Sequence, residues 1–379
     1  MNYTPYSISI FEDDVGNSCF MVIDTLVKGI SAGGIRINES VTLEEVKELA
    51  REMTYKFALF DIEMGGAKMG IRLKEGNSKE VAILNFRKNI QPFIKRLNYI
   101  PGADLGSDQS DINLLCKKIW WIRRESNTAY FTAIGIKACL DFIAKQYNLS
   151  AMRVALSGFG KVGYFLMKEF IKLNIKLVAV SDREGCILSD SGLDKQKLLV
   201  LKEEYPNEWI FRCGLKILPR EALYTVPCDI LIPGAEAYAI NPQNAERLNT
   251  KFICPVANAT YHQDIISRLS EKGIIFFPDF VTNAAGVLGS YFYSWGCSLD
   301  EAGNNIRAKM FSMLSHIYKN SGNNYYGYAL EVAKKKIERR NESEGRYKNS
   351  FLSALKTKLF LAGYIPAWLL KRYTKFSEK

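Results

Sequence analysis

The stretch RVALSGFGKVGYFLMKEFIKLNIKLVAVSD, residues 153–182, restricts the fold more than any other. A short apolar run ends at Gly158, Gly160 and Gly163, spaced GxGxxG; an amphipathic segment follows, and a second apolar run closes on Asp182. That order suits a strand, a tight turn and a helix that returns the chain to a neighbouring parallel strand. Further on, the apolar runs CDILIP, KFICPV and GIIFFP alternate with polar helical segments such as NPQNAERLN and YHQDIISRLSEKG. Short buried strands alternating with helices indicate an α/β chain with a parallel sheet covered on both faces.

In this setting the glycine spacing points to a dinucleotide. The first glycine makes the turn, the second admits a pyrophosphate and the third lets helix and strand pack, while the helix N-terminus offers N–H donors and partial positive charge. The candidate cofactor residues are Gly158, Phe159, Gly160, Lys161, Val162 and Gly163, with Asp182, 24 residues after Gly158, for the ribose hydroxyls. A carboxylate there repels a 2′-phosphate, so NAD is expected; Arg183 beside it keeps NADP open. The competing reading is a glycine-rich turn in an α/β domain that holds no nucleotide.

Upstream the rhythm differs. SISIF and CFMVID read as strands and TLEEVKELAREMTYKFAL as a helix, with Thr42 and Glu45 at capping-box spacing and Val46, Leu49, Ala50, Met53, Phe57 and Ala58 in one apolar stripe. Lys56 borders that stripe. MGGAKMG, residues 64–70, then sets Lys68 among glycines: a surface turn, or a positive charge in a space the backbone has cleared. His262 and His316 are the only histidines, so lysines and carboxylates are the first candidates for acid–base work.

These changes of rhythm divide the chain into an N-terminal α/β domain over 1–130, a Rossmann-type domain over 131–289, a segment 290–345 that partly packs back on the first domain, and a basic extension 345–379. The 379 residues suffice for two domains, and 47% hydrophobic with 24% charged residues is a globular composition. The chain opens without a signal-peptide pattern, and no apolar run reaches the roughly 18 residues of a spanning helix. Eight scattered cysteines without a CxxC pair suggest reduced thiols in a cytoplasmic setting, with no metal site. Of the net charge of +11, residues 331–379 carry +8, from 13 basic and 5 acidic residues. Basicity so localised, without a nucleic-acid module, argues against nucleic-acid binding. The apolar stretch 359–370, flanked by Lys358 and Lys371 and broken by Pro366, reads first as a helix packed on protein and second as a membrane-surface contact.

The motifs AGGIR (32–36), EMTYKFA (52–58), MGGAKMGI (64–71), YIPGADLGSD (99–108), TAIGI (132–136), SGFGKVG (157–163), VAVSD (178–182), VANAT (256–260) and PDFVTNAAGV (278–287) follow one another in an order that resembles the amino acid dehydrogenase family of glutamate, leucine, phenylalanine and valine dehydrogenases. The N-terminus is more similar to the leucine and phenylalanine branch, SYFYSW at 290–295 to the glutamate branch. The resemblance implies a substrate-binding and oligomerisation domain before the Rossmann-type one, a homo-oligomer, and a cleft between domains. It implies reversible NAD(P)-dependent oxidative deamination of an L-amino acid to a 2-oxo acid and ammonia. Residue by residue, it implies that Lys68 is the general base, Asp104 transfers a proton and Lys56 binds the substrate carboxylate. Thr132, Asn258 and Asn283 match cofactor positions toward the nicotinamide, and Ala32, Gly33, Gly34, Val287 and Ser290 match the substrate pocket.

Several positions depart from the family pattern. Ala32 stands where glutamate-specific members carry a lysine; a substrate glutamate would then leave its side-chain anion poorly paired, so an apolar or aromatic substrate is expected. Met69, Val256, Ala259 and Ala285 replace small residues or glycines and threaten to narrow the pocket. The alternatives are a glutamate dehydrogenase with an altered pocket, or a catalytically weakened relative that binds nucleotide or amino acid as a regulator or scaffold.

Overall fold

The computed structural model describes residues 4–117, 119, 127–294 and 296–344. These form two compact units: one takes the described residues up to 126, those of 291–300 and those from 332 on, and the other takes 127–290 and 301–331. The extension 345–379 lies outside the described residues.

The first unit is built on strands β1 (Ser7–Glu12), β2 (Ser18–Ile23), β3 (Ser31–Asn38), β4 (Gly65–Arg72) and β5 (Ile100–Ala103), with helices α1 (Leu43–Leu59), α2 (Lys79–Lys95) and α3 (Gln109–Leu115). Their order in the sheet is β1-β2-β4-β3-β5. β2 runs antiparallel to β1 and β4, while β3 runs parallel to β4 and β5. MGGAKMG is therefore a central strand and not a turn. Two of its three glycines serve helix packing: a Cβ on Gly66 would lie 2.3 Å from Thr54 of α1, and one on Gly70 2.6 Å from Val46, while one on Gly65 would strike Thr25 O at 1.9 Å. Alternation puts Lys68 between Gly66 and Gly70 on the α1 face and turns Ala67, Met69 and Ile71 to the other face. There they join Met21, Ile35, Ile37, Ile83, Phe86 and Ile90 in the core that includes α2.

At the start of α1 the Thr42 side chain accepts from the Glu45 N–H, which is half of the expected capping box. The Glu45 carboxylate is drawn instead to the guanidinium of Arg36, a stronger, charge-assisted partner.

The second unit holds β6 (Met152–Ser157), β7 (Ile175–Asp182), β8 (Gly185–Leu188), β9 (Cys228–Pro233), β10 (Thr250–Ile253) and β11 (Ile275–Phe276), in the order β11-β10-β9-β6-β7-β8. All neighbours are parallel except β8, which pairs antiparallel with β7 at the edge. Its helices are α4 (Thr128–Gln146), α5 (Lys161–Lys172), α6 (Lys195–Glu204), the single turns α7 (Trp209–Arg212) and α8 (Pro242–Ala245), α9 (Ile266–Glu271) and α10 (Asp279–Thr282). Helices α11 (Ala285–Ser294), α12 (Leu299–Asn320) and α13 (Tyr325–Glu344) complete the described chain. The β6–α5–β7 crossover is the element that the GxGxxG stretch implies. Among the described residues no helix is long and apolar enough to cross a membrane, and no group of His, Cys, Asp and Glu is arranged to hold a metal ion. None of the eight cysteines is in a disulfide.

Candidate functional site

Each glycine of the β6–α5 turn has its own geometric reason. Gly158 has φ +95°, a region L side chains rarely adopt, and its N–H donates to Ser181 O of β7 at 2.8 Å. A Cβ on Gly163 would lie 2.3 Å from Gly158 O, so the third glycine permits the close helix–turn approach. A Cβ on Gly160, the N-cap of α5, would meet nothing within 4 Å. Open backbone at a helix start is what a pyrophosphate needs. Lys161 is exposed, Val162 is half-buried, and Phe159 turns inward against Trp209. Asp182, the last residue of β7, accepts from the Glu184 N–H at 2.8 Å and from the Trp209 indole N–H at 2.6 Å. Arg183 is exposed and pairs with Glu184 at 3.1 Å. The tight turn, the open approach and the terminal carboxylate together fit an NAD(P) dinucleotide.

In the first unit, Lys68 projects from the α1 face of β4 and is 2% exposed. Its Nζ lies 2.8 Å from Asp104 Oδ2, and Arg36 Nε of β3 lies 3.1 Å from the same oxygen. Burial alone raises the Asp104 carboxyl, but the Lys68 charge and then the Arg36 charge outweigh it and hold it well below the usual carboxylate range. Gly34 clears the room for this cluster: a Cβ there would lie 2.8 Å from Asp104 Cβ and 3.3 Å from Lys68 Nζ. Gly33 serves the sheet, since its Cβ would strike Ala67 O at 1.6 Å. Lys56, near the end of α1, is also buried, at 4% exposure. Ala32 shares the β3 face of Gly34 and Arg36 and pairs in register with Gly66.

Sequence reading missed Arg36, although it lies within AGGIR. Its spacing of two from Gly34 puts it on that residue's face, but its meeting with Asp104 depends on β3 lying between β4 and β5. It also missed Trp209, whose position 27 residues beyond Asp182 carries no local signal.

In the second unit, Thr132 is buried on α4 and donates from Oγ1 to Thr128 O at 2.8 Å. Gly286 of α11 packs there, its would-be Cβ 2.6 Å from that hydroxyl. Asn283 Nδ2 donates to Ala257 O and to Asn258 Oδ1, both at 3.0 Å, while Asn283 Oδ1 is buried without a hydrogen-bond partner among the described residues. Val287 and Ser290 are half-buried on α11, the latter donating to Gly286 O at 2.9 Å.

The bulky departures acquire specific places. Met69 is fully buried in the core on the face away from Lys68, so its side chain does not crowd that amine. The Ala285 methyl sits against Gly135 of α4, where a Cβ would be 2.1 Å away. Val256 lies against Gly234, whose Cβ would be 3.1 Å from that of Val256. Ala259 takes φ +48°, a conformation that suits glycine better.

A parallel sheet with a strand–GxGxxG–helix turn and an acidic end to the next strand defines a Rossmann-type dinucleotide-binding protein. Residues 123–345 match Glutamate/Leucine/Phenylalanine/Valine dehydrogenase, and residues 7–123 match Glu/Leu/Phe/Val dehydrogenase, dimerisation domain. The chain belongs to this family, a family of NAD(P)-dependent oxidoreductases acting on the CH–NH2 group of amino acids. It is 30% identical to a glutamate dehydrogenase of Thermotoga maritima over 331 residues, 79% of each chain. Its fold is similar to that of a hetero-hexameric glutamate dehydrogenase from Thermus thermophilus, with TM-score 0.78, 22% identity and 91% of each chain covered. It is also similar to that of L-tryptophan dehydrogenase from Nostoc punctiforme, with TM-score 0.63 and 21% identity over 89% of this chain and 97% of that one.

Proposed function

We propose that the protein reversibly deaminates an L-amino acid with an apolar or aromatic side chain to its 2-oxo acid and ammonia. The observation that carries the reading is the buried Lys68–Asp104–Arg36 cluster under Gly34. NAD(P) held by the β6–α5 turn and Asp182 would supply the hydride acceptor for the substrate α-carbon. Lys56 holds the substrate carboxylate. Lys68, once neutral, takes a proton from the water that attacks the resulting iminium carbon. Asp104, held ionised by the Lys68 and Arg36 charges, relays that proton to the amino group, which leaves as ammonia as the hydroxyl of the adduct gives up its own proton and the 2-oxo acid forms. Arg36 keeps one positive charge on Asp104 throughout. Thr132, Asn258 and Asn283 serve the nicotinamide end, the last offering its unpartnered Oδ1 to a polar donor. Gly158 to Gly163 and Asp182 serve the pyrophosphate and ribose.

Ala32, with Val287 and Ser290, is assigned to the substrate side chain. An alanine at 32 brings no charge for a second carboxylate, which disfavours glutamate. The second reading, glutamate, is favoured by the name of the T. maritima relative. Initial rates with ammonia and a panel of 2-oxo acids, run with NADH and with NADPH, separate the two. Turnover confined to 2-oxoglutarate overturns the apolar assignment, and no turnover with any oxo acid, despite coenzyme binding, overturns the catalytic one.

The working form is a homo-oligomer in which a second copy covers the sheet at β1, the edge strand among the described residues. Tyr6, Ile8 and Ile10 are 66%, 42% and 53% exposed there, at the start of the segment that matches the dimerisation domain.

A further inference from the structure

We propose that Trp209 is a positioning residue that locks Asp182 for the ribose diol and thereby sets the preference for NAD over NADP. The inference rests on the reading that Asp182 meets the adenosine ribose. An ionised carboxylate has about four acceptor sites. The Trp209 indole N–H occupies one on Oδ2 and the Glu184 N–H one on Oδ1, which leaves two, the number a 2′,3′-diol donates to. The indole is fully buried and cannot swing away. Its ring stands edge-on to Phe159, centroids 4.9 Å apart and planes at 89°. Phe159 lies between the first two glycines of the phosphate turn, so one buried side chain braces both the turn and the carboxylate.

The surroundings explain why the lock matters for selectivity. Two cations stand nearby: Arg183, paired with Glu184, and Lys202 of α6, whose ammonium is 6.0 Å from the Trp209 ring and 5.7 Å from the Phe159 ring. Those charges are what a 2′-phosphate needs, and they sit beside a carboxylate that repels it. If Asp182 rotated outward, Arg183 and Lys202 would remain to receive the phosphate. Indole is a donor only and holds the carboxylate in the repelling position.

The test is titration of the full-length protein with NADH and with NADPH, followed by coenzyme fluorescence, alongside thermal melting. Trp209→Phe keeps an aromatic ring against Phe159 and removes the donor. The expected result is about tenfold weaker NADH binding, NADPH binding unchanged or tighter, and a melting temperature within a few degrees of wild type. Equal weakening of both coenzymes, or no change in either, overturns the proposal. Trp209→His, which retains a ring N–H, is the second variant and is expected to keep a larger share of the wild-type NADH/NADPH ratio than Trp209→Phe; a ratio as low as that of Trp209→Phe counts against the donor. Asp182→Asn separates the underlying reading: if it leaves both affinities unchanged, the ribose assignment itself fails, whereas a loss of NADH binding there with a silent Trp209→Phe fails only the lock.

Discussion

Arg36 and Lys68 share one carboxylate oxygen, and that shared contact makes the cluster sensitive to single charges. Arg36→Gln leaves Asp104 with one cation in a buried place. The expected loss of stability is about 3 kcal/mol, the scale for breaking a buried pair, and the acid limb of kcat/KM is expected to move to higher pH. Urea unfolding and a pH–rate profile check both parts; an unmoved acid limb would detach Asp104 from catalysis. Lys68→Ala is expected to lower kcat by about 10²- to 10⁴-fold with the fold retained, as far-UV circular dichroism would show. Ala259 carries a different kind of strain. A left-handed alanine costs about 1–2 kcal/mol, partly offset by the extra chain entropy that glycine loses on folding. Ala259→Gly is therefore expected to be neutral or to stabilise by up to about 1 kcal/mol, measured by denaturant midpoint.

At the scale of the element, β4 explains why the glycine-rich motif is a strand. Gly66 and Gly70 let α1 lie against the sheet, and Lys68 occupies the row between them. The alternate residues are core, so Met69→Leu is expected to cost less than about 1.5 kcal/mol and leave KM and kcat unchanged. A large kinetic effect of that change would return Met69 to the pocket. Periodicity in the sequence disclosed α1, and the GxGxxG context disclosed β6–α5–β7. Lys68 was legible as a candidate because its neighbours were glycines, but the reason for the glycines was not. They make room for a helix, while the space beside the amine comes from Gly34 on another strand. The edge strand β1 makes its own prediction: Ile8→Lys with Ile10→Lys is expected to give a smaller species by light scattering, and an unchanged mass would place the subunit contact elsewhere.

For the whole molecule, the buried Asp24 and the half-buried Asp104 of the first unit pull stability in opposite directions with pH. Burial pushes Asp24 up to about 6, more than the Arg51 charge and the Thr54 hydrogen bond lower it. Its folded value stands above the unfolded value near 3.8, so its contribution is fully present below pH 4 and is lost as pH rises through 6. Two units of difference amount to about 3 kcal/mol. Asp104 has the opposite sign, since its folded value is depressed: its contribution is present above about pH 4 and is lost as pH falls further. Denaturation at several pH values is expected to show Asp24→Asn with a flatter profile between pH 4 and 6. An unchanged slope there removes Asp24 from the account.

The sequence by itself determined the α/β class, the dinucleotide turn and the family, because each rests on short-range spacing: apolar runs of strand length, glycines at fixed offsets, and motifs in a fixed order. Tertiary structure alone decided what surrounds Lys68 and Asp182. Arg36, Gly34 and Asp104 meet Lys68 through the placing of β3 between β4 and β5, and Trp209, packed on Phe159, meets Asp182 from 27 residues further along the chain. Strand order and long-range packing have no local signature, and they set the charges and hydrogen bonds on which the chemistry of the two carboxylates depends.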